Sequence, residues 1–320
     1  MNDVKIPLED AGERLLPTWQ HVCVVEHLHR YAVAASFATG KRVLDIASGE
    51  GYGSNLLANV AERVLGVDRS LAAAVNACHK YGRANVQFVQ GDATSIPCPD
   101  KTFDLVVSFE TIEHLYAQEA MLTEIERVLT KDGLLLISSP DKKYHGDKDG
   151  YINDFHVKEL YEKEFLDLVG SRFPYVTHMR QQVLTCSALC PAPIDGPLPL
   201  FAGTFEGTSL LTRLSRPSFH VVLAGHTPTP AIPGSLFDGT DLAEAYAAHQ
   251  GQEILNLKAY VEALKAQLAA KDAGLPTDRP EKVSLPSEQE AGLCSVCPGE
   301  KIKAGLARLY RTLQGVFRHV

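Results

Sequence analysis

Between residues 42 and 140, short apolar runs rich in β-branched residues alternate with stretches whose apolar positions recur every three or four residues. The runs RVLDI (42–46), RVLGVD (63–68), VQFVQ (86–90), FDLVVSF (103–109) and GLLLISS (133–139) predict five strands. Helices are expected between them at 52–62, 70–82, 112–116 and 118–130. This alternation builds βαβ units on a parallel sheet. A further helix is predicted over 157–169, with Leu160, Tyr161, Phe165, Leu168 and Val169 on one face. Two more strand-like runs follow, at 175–187 and 218–224.

The texture changes after residue 225. Residues 1–225 read as one α/β domain and the Pro-rich 226–238 as a linker. Residues 239–272 predict one helix about 50 Å long at 1.5 Å per residue. Ile254, Leu257, Val261, Leu264 and Leu268 follow the 3-4 spacing of a coiled-coil seam. That pattern fits homo-oligomerisation through the coil, or packing of the helix on its own chain. Residues 273–299 are rich in Pro, Ser and Glu and read as a disordered linker. Cys294 and Cys297 lie there, without the second ligand pair a zinc site needs. Residues 300–320 are predicted to form a basic amphipathic helix, suited to a membrane surface, a partner or the chain's own coil.

Composition excludes several classes. A chain of 320 residues that is 45% hydrophobic and 22% charged is neither disordered throughout nor a small disulfide scaffold. Seven scattered cysteines fit reduced thiols. The opening residues show no signal-peptide pattern and no run approaches a membrane span, so a cytoplasmic chain is expected, with peripheral association at the inner face of the membrane. Net charge is −8, but 300–320 carry +4, leaving 26 basic against 38 acidic side chains elsewhere, a balance of −12. An acidic body of this kind argues against nucleic acid as a partner.

The chemistry concentrates in VLDIASGEGYGS, residues 43–54. A strand ends near Asp45, a turn with Gly49, Gly51 and Gly53 follows, and a helix opens behind it. Dinucleotide-binding loops have a G-x-G-x-x-G spacing, whereas this one is G-x-G-x-G. An acidic residue on the preceding strand would repel pyrophosphate and suits an ammonium or sulfonium ligand. Asp68 closes the second strand, where a carboxylate can accept both hydroxyls of a ribose. Asp92 follows the third strand, placed to read an adenine amino group. Each sits at the C-terminal edge of a successive strand, the edge at which open α/β sheets bind ligands.

In these motifs the chain resembles class I S-adenosylmethionine-dependent methyltransferases over about residues 20–225. The resemblance implies a Rossmann-like seven-stranded fold of order 3-2-1-4-5-7-6, with the helical, coiled-coil-like extension appended. It implies S-adenosylmethionine as cofactor, with Asp45, Ala47, Gly49 and Gly51 at its methionine end, Asp68 on the ribose, and Asp92 with the Ala93 backbone on the adenine. Ala47 stands where the family motif has Gly. The segments EHLHRY (26–31), SFETIEHL (108–115), ISSPDKKY (137–144) and NDFHVKELY (153–161) resemble methyltransferases of bacterial surface-polysaccharide assembly. That likeness implies a sugar hydroxyl of a glycan as acceptor, with a quinone-like or other small-molecule hydroxyl as the alternative. It also suggests a glycosyltransferase or membrane-surface partner reached through 239–320. A third reading is a cofactor-binding scaffold that assembles other enzymes.

Glu110, Glu113 and His114 stand at i, i+3 and i+4, and His156 could join them from the 153–161 segment. Two carboxylates and two imidazoles can hold a divalent ion such as Mg or Zn, as similar E-x-x-E-H segments do in some O-methyltransferases. His114 or His156 could equally serve as a metal-free base, with His145 and Asp141 behind them, and the segment also admits a structural role. Arg30 reads as a surface residue of the entry helix, although it could reach a cofactor carboxylate.

Overall fold

The computed structural model of the chain describes residues 22–147, 155–190 and 198–272, together with Leu15, Asn153 and Gly196. The last two predicted segments, 273–299 and 300–320, lie outside these residues. Two compact units are present: one holds residues 26–237, and the other holds 22–25 with 238–272.

In chain order the elements are α1 (Val22–Ala38), β1 (Arg42–Ile46), α2 (Tyr52–Leu57), β2 (Arg63–Asp68), α3 (Leu71–Tyr81), β3 (Val86–Gln90) and β4 (Phe103–Ser108). A single 3-10 turn, Ile112–His114, leads to α4 (Gln118–Val128) and β5 (Leu129–Pro140). A π-turn at Lys143–Asp147 precedes α5 (Glu162–Gly170), β6 (Tyr175–Gln181), β7 (Leu200–Thr204), β8 (Gly207–Leu211), β9 (Phe219–Gly225) and α6 (Thr240–Asp272).

Seven strands form one sheet in the order β3-β2-β1-β4-β5-β9-β6, with β9 antiparallel to both neighbours. This is the Rossmann-like methyltransferase topology expected from the sequence. The central strands are apolar on both faces because helices cover both. On one face Leu44, Ile46, Val106, Leu135, Ile137 and Val222 pack with Met121 and Ile125 of α4 and Phe165 of α5. On the other, Val43, Val64, Leu105, Val107, Leu136 and Val221 pack with Ala34 of α1, Leu57 of α2 and Ala77 of α3. Alternate residues of one strand thus feed two separate cores.

Several expectations need adjustment. The 52–62 helix stops at Leu57 and the 175–187 strand at Gln181. Between the two late strand runs, β7 and β8 pair as a hairpin with Phe201, Phe205 and Leu210 exposed. The Pro-rich stretch is no free linker: Ser235 hydrogen-bonds His29 at 2.8 Å, Thr229 bonds Thr177 at 2.7 Å, and Ile232 packs on the core. The long helix stands where its pattern placed it, as α6. Ile254 is exposed and Leu257, Val261 and Leu264 are half-exposed, so its seam is not buried. No helix among the described residues is long and apolar enough to cross a membrane, and Cys78, Cys98, Cys186 and Cys190 are free thiols.

Candidate functional site

The order in which strands are added to the sheet reverses between β1 and β4, which run parallel with Ile46 beside Ser108. Ligands of open α/β sheets bind at this point, beyond the C-terminal ends of the strands. Of the three non-glycine residues with positive φ among those described, two lie here: Ala47 (φ 58) directly after β1 and Glu110 (φ 51) just after β4. Backbone held in the left-handed region costs about 1–3 kcal/mol and concentrates at functional sites. The positive φ accounts for the glycine of the family motif at position 47 and makes the alanine here a strained substitute. Glycine would enter this conformation freely, whereas alanine is forced into it, and Ala47 is exposed at the loop surface.

The β1–α2 loop is held by its own polar groups. Asp45 is buried and accepts hydrogen bonds from Ser54 Oγ at 2.7 Å and Tyr31 OH at 3.2 Å. Burial pushes its carboxyl up to about 7, against the pull of the Ser54 and Tyr31 bonds and with help from the charge of Asp68. Asp45 therefore braces the loop from beneath. Asp68, at the end of β2, accepts from the Gly49 amide at 2.9 Å and the Ser70 amide at 2.8 Å, tying the two loops together. Gly51 (φ 81) caps α2, and a Cβ there would stand 2.6 Å from that of Ala77. A Cβ on Gly53 would meet the Tyr31 ring at 1.9 Å, so packing as well as ligand access calls for these glycines. Asp92 accepts from the amide and hydroxyl of Thr94, which hold its carboxyl below the usual range. Ala93 packs beside the core.

On the other side of the reversal point the chain gathers imidazoles. The Glu113 carbonyl accepts from the amides of Val157 and Lys158, both at 3.0 Å, which draws the 155–158 segment onto the turn after β4. His114 Nδ1 donates to the Phe155 carbonyl at 3.0 Å, placing the lone pair on Nε2. The rings of His114 and His156 meet edge to face at 5.0 Å, and His145 stacks on His156 at 5.7 Å. Glu159 Oε1 lies 2.5 Å from His156 Nδ1 and 3.5 Å from His145 Nδ1. Burial opposes the charge on Glu159, but the two imidazoles prevail and hold its carboxyl down at about 2. Burial alone would lower His145, yet Glu159 and the charge of Glu110 outweigh it and raise that imidazole above its ordinary value.

Glu113, His114 and His156 each bring a ligand atom within 4.8 Å of the others, as do His145, His156 and Glu159. Three of the four expected metal ligands are thus together. Glu110 is in neither group; its Oε1 accepts from Ser138 Oγ at 2.7 Å and lies 3.9 Å from Arg30 Nη2. Sequence reasoning missed Glu159, although its i, i+3 spacing from His156 was the available signal. It also misplaced Arg30, which is 2% exposed rather than on the surface, because α1 turns that face onto the sheet edge.

A family model described as a methyltransferase domain matches residues 44–137. These residues are thus similar to a methyltransferase domain. A "Probable S-adenosylmethionine-dependent methyltransferase" of Mycolicibacterium smegmatis is 34% identical over 162 residues, covering 50% of this chain and 62% of the relative. A "Fatty-acid O-methyltransferase" of the same organism is 35% identical over 130 residues, covering 37% of this chain and 47% of that protein. The chain thus spans less than two thirds of either relative's length. The crystal structure of the YcgJ protein of Bacillus subtilis superposes with a TM-score of 0.43 at 23% identity, over 49% of this chain and 71% of that one. The matched residues include the Asp45–Gly51 loop, Asp68, Asp92 and the Glu110–His114 turn, whereas His145, His156 and Glu159 lie beyond them.

Proposed function

We propose that this chain transfers a methyl group from S-adenosylmethionine to an oxygen of its acceptor, with a sugar hydroxyl of a glycan or glycan precursor as the acceptor class. The observation that carries this reading is the His114–His156–His145–Glu159 cluster, which stands at the same sheet edge as the Ala47–Gly51 loop. A hydroxyl must lose its proton as it attacks, so a positioned base contributes about 10²–10⁴-fold.

The donor set fits the cofactor. Asp68 offers one carboxylate at the end of β2 for two vicinal hydroxyls, and Asp92 stands one strand further out for an adenine amino group. When bound, S-adenosylmethionine supplies a methyl carbon on a good leaving group. The chain's task is then alignment and proton removal. His114, its Nδ1 fixed by Phe155, presents Nε2 as the acceptor of the hydroxyl proton. His156 and Glu159 form a second imidazole–carboxylate pair able to hold positive charge.

The same donors support a divalent ion, Mg or Zn, on Glu113, His114 and His156, which would lower the pKa of a coordinated hydroxyl. An acid or lipid acceptor is the second reading. It is supported by the likeness to a fatty-acid O-methyltransferase and by the exposed Phe201, Phe205 and Leu210 of the β7–β8 hairpin. The half-exposed seam of α6 supports this helix as the place where a second copy or another enzyme packs.

The test is calorimetric titration of S-adenosylmethionine into wild type and Asp68→Ala, followed by transfer of labelled methyl to glycan and lipid acceptors with and without a chelator. Micromolar binding that the substitution removes supports the reading, and no binding to folded wild type overturns it. A chelator that abolishes transfer assigns the metal, and one without effect assigns the imidazole base.

A further inference from the structure

A second group of imidazoles lies on the face of the sheet that α5 covers. β6 and β9 pair with Arg180 opposite His220 and His178 opposite Val222, so His178 and His220 are diagonal neighbours on one face. Glu162 is the first residue of α5. One ligand atom from each of Glu162, His178 and His220 lies within 4.8 Å of the others. His178 Nε2 stands 3.2 Å from His220 Nδ1. None of the three has a part in the methyl transfer.

Each donor is in the protonation state that a metal ion requires. Arg180 donates through Nε and Nη2 to the two oxygens of Glu162 and holds its carboxyl below the usual range. The group is therefore ionised, and each oxygen keeps a further lone pair. Burial, and then the charge of His220, hold the His178 imidazole below its ordinary value, so this ring is neutral at pH 7. His220 is fully buried, with the Phe165 ring stacked on it at 5.9 Å. Its Nε2 faces Asp141 Oδ2 at 3.4 Å, which places the ring proton on that side and the lone pair on Nδ1.

Hydrogen bonding alone leaves this arrangement incomplete. Nε2 of His220 hydrogen-bonds to none of the described residues, a costly state for a buried donor. An ion on Nδ1 would draw electrons from the ring and make Nε2–H a stronger donor to Asp141, the order carboxylate, imidazole, metal in which metal-bound histidines are held. Two nitrogens on one tetrahedral zinc ion stand about 3.3 Å apart at Zn–N distances of about 2.0–2.1 Å, close to the 3.2 Å between these rings. Two imidazoles with one carboxylate suit zinc, whereas magnesium and calcium take oxygen ligands. Glu162 and His178 are half-exposed, which gives the ion a path in and a fourth ligand from water. We propose that Glu162, His178 and His220 bind one zinc ion, with Asp141 as the carboxylate behind His220. Such an ion ties the start of α5 to β6 and β9.

The test titrates zinc into the full chain, freed of metal, carrying His156→Ala. His156 belongs to both of the other ligand groups among the described residues, so its removal isolates this one. The His156→Ala chain is expected to bind zinc and to unfold at a higher temperature as zinc is added. His178→Gln and Glu162→Gln, each added to it, are expected to weaken the binding of one ion at least tenfold and to abolish that rise. Circular dichroism checks folding, and where one of the two does not fold the other decides. If His156→Ala itself does not fold, both are made in wild type, where each must remove one ion from the total bound. Cobalt in place of zinc should give the visible absorption of a tetrahedral site, lost with His178→Gln. A folded His156→Ala chain that binds no zinc overturns the inference. So does binding that both substitutions leave unchanged, because the ion is then held elsewhere in the chain.

Discussion

The two sides of the reversal point between β1 and β4 are built on opposite plans. On the β1–β2–β3 side the polar groups are joined by short links: Asp45 to Ser54, Asp68 to Gly49 and Ser70, Asp92 to Thr94. On the β4–β5–β9–β6 side, apart from the His156–Glu159 pair, the links are long: His114 to Phe155, Glu110 to Ser138, Arg30 to Gln181. The first side is a rigid cradle whose carboxylates are held by nearby hydroxyls and amides. The second is a cluster of imidazoles, carboxylates and a guanidinium whose charges depend on one another. A site that grips one unvarying molecule suits the first plan, and a site that moves a proton suits the second.

If this division holds, replacing His114 or His156 with alanine lowers kcat by about 10²–10⁴-fold while leaving the affinity for S-adenosylmethionine within about twofold. Kinetics with an identified acceptor and titration of the cofactor check the two halves of that statement, and a parallel loss of cofactor affinity would break the comparison. The next effect belongs to the cradle. Asp45 holds its proton up to about pH 7 in the folded chain, whereas the unfolded carboxyl loses it near 4. Between those values the folded state binds the extra proton, so stability falls as pH rises, by roughly 4 kcal/mol in all. Asp45→Asn should flatten this slope in denaturant unfolding measured from pH 4 to 8.

A smaller change is expected from Glu159→Gln. With its main carboxylate partner gone, burial governs His145, and the imidazole should titrate at lower pH in NMR spectra. The sign for stability follows. A raised His145 stabilises fully below its unfolded pKa and loses that contribution as pH rises through its folded value, and the variant should lack this loss. The smallest effect concerns Ala47→Gly. Relief of the positive φ at Ala47 is offset by the greater freedom of glycine in the unfolded chain, leaving a net gain under about 1 kcal/mol. Thermal unfolding resolves such a shift, and a clear loss would show that the methyl group makes contacts of its own.

The contrast between the sides also explains what could be read from the sequence. The strand order came with the family resemblance, whereas the carboxylates Asp45, Asp68 and Asp92 were legible because each belongs to a short contiguous pattern near the end of a strand. The Glu113–His114 turn was legible for the same reason. The partners of the second side are up to 151 residues apart, and no local pattern joins Arg30 to Gln181. Arg30 on an amphipathic helix therefore looked like a surface residue, and Glu110 looked like one more ligand beside Glu113. The β7–β8 hairpin escaped notice because its apolar residues face solvent and leave no buried period.

The antiparallel strand β9 also sets a schedule for biosynthesis. It fills the gap between β5 and β6, yet it is the last strand of the sheet to be synthesised. As the chain leaves the ribosome, β1 to β5 can assemble while the free edge of β5 waits for residues 219–225. During that interval β6 has no strand beside it, and an apolar sheet edge is open to wrong pairing. Completion of the sheet and delivery of Phe219 to Arg30 are a single event. A nascent chain halted before residue 219 would therefore hold the cradle and the imidazoles without Phe219 against Arg30.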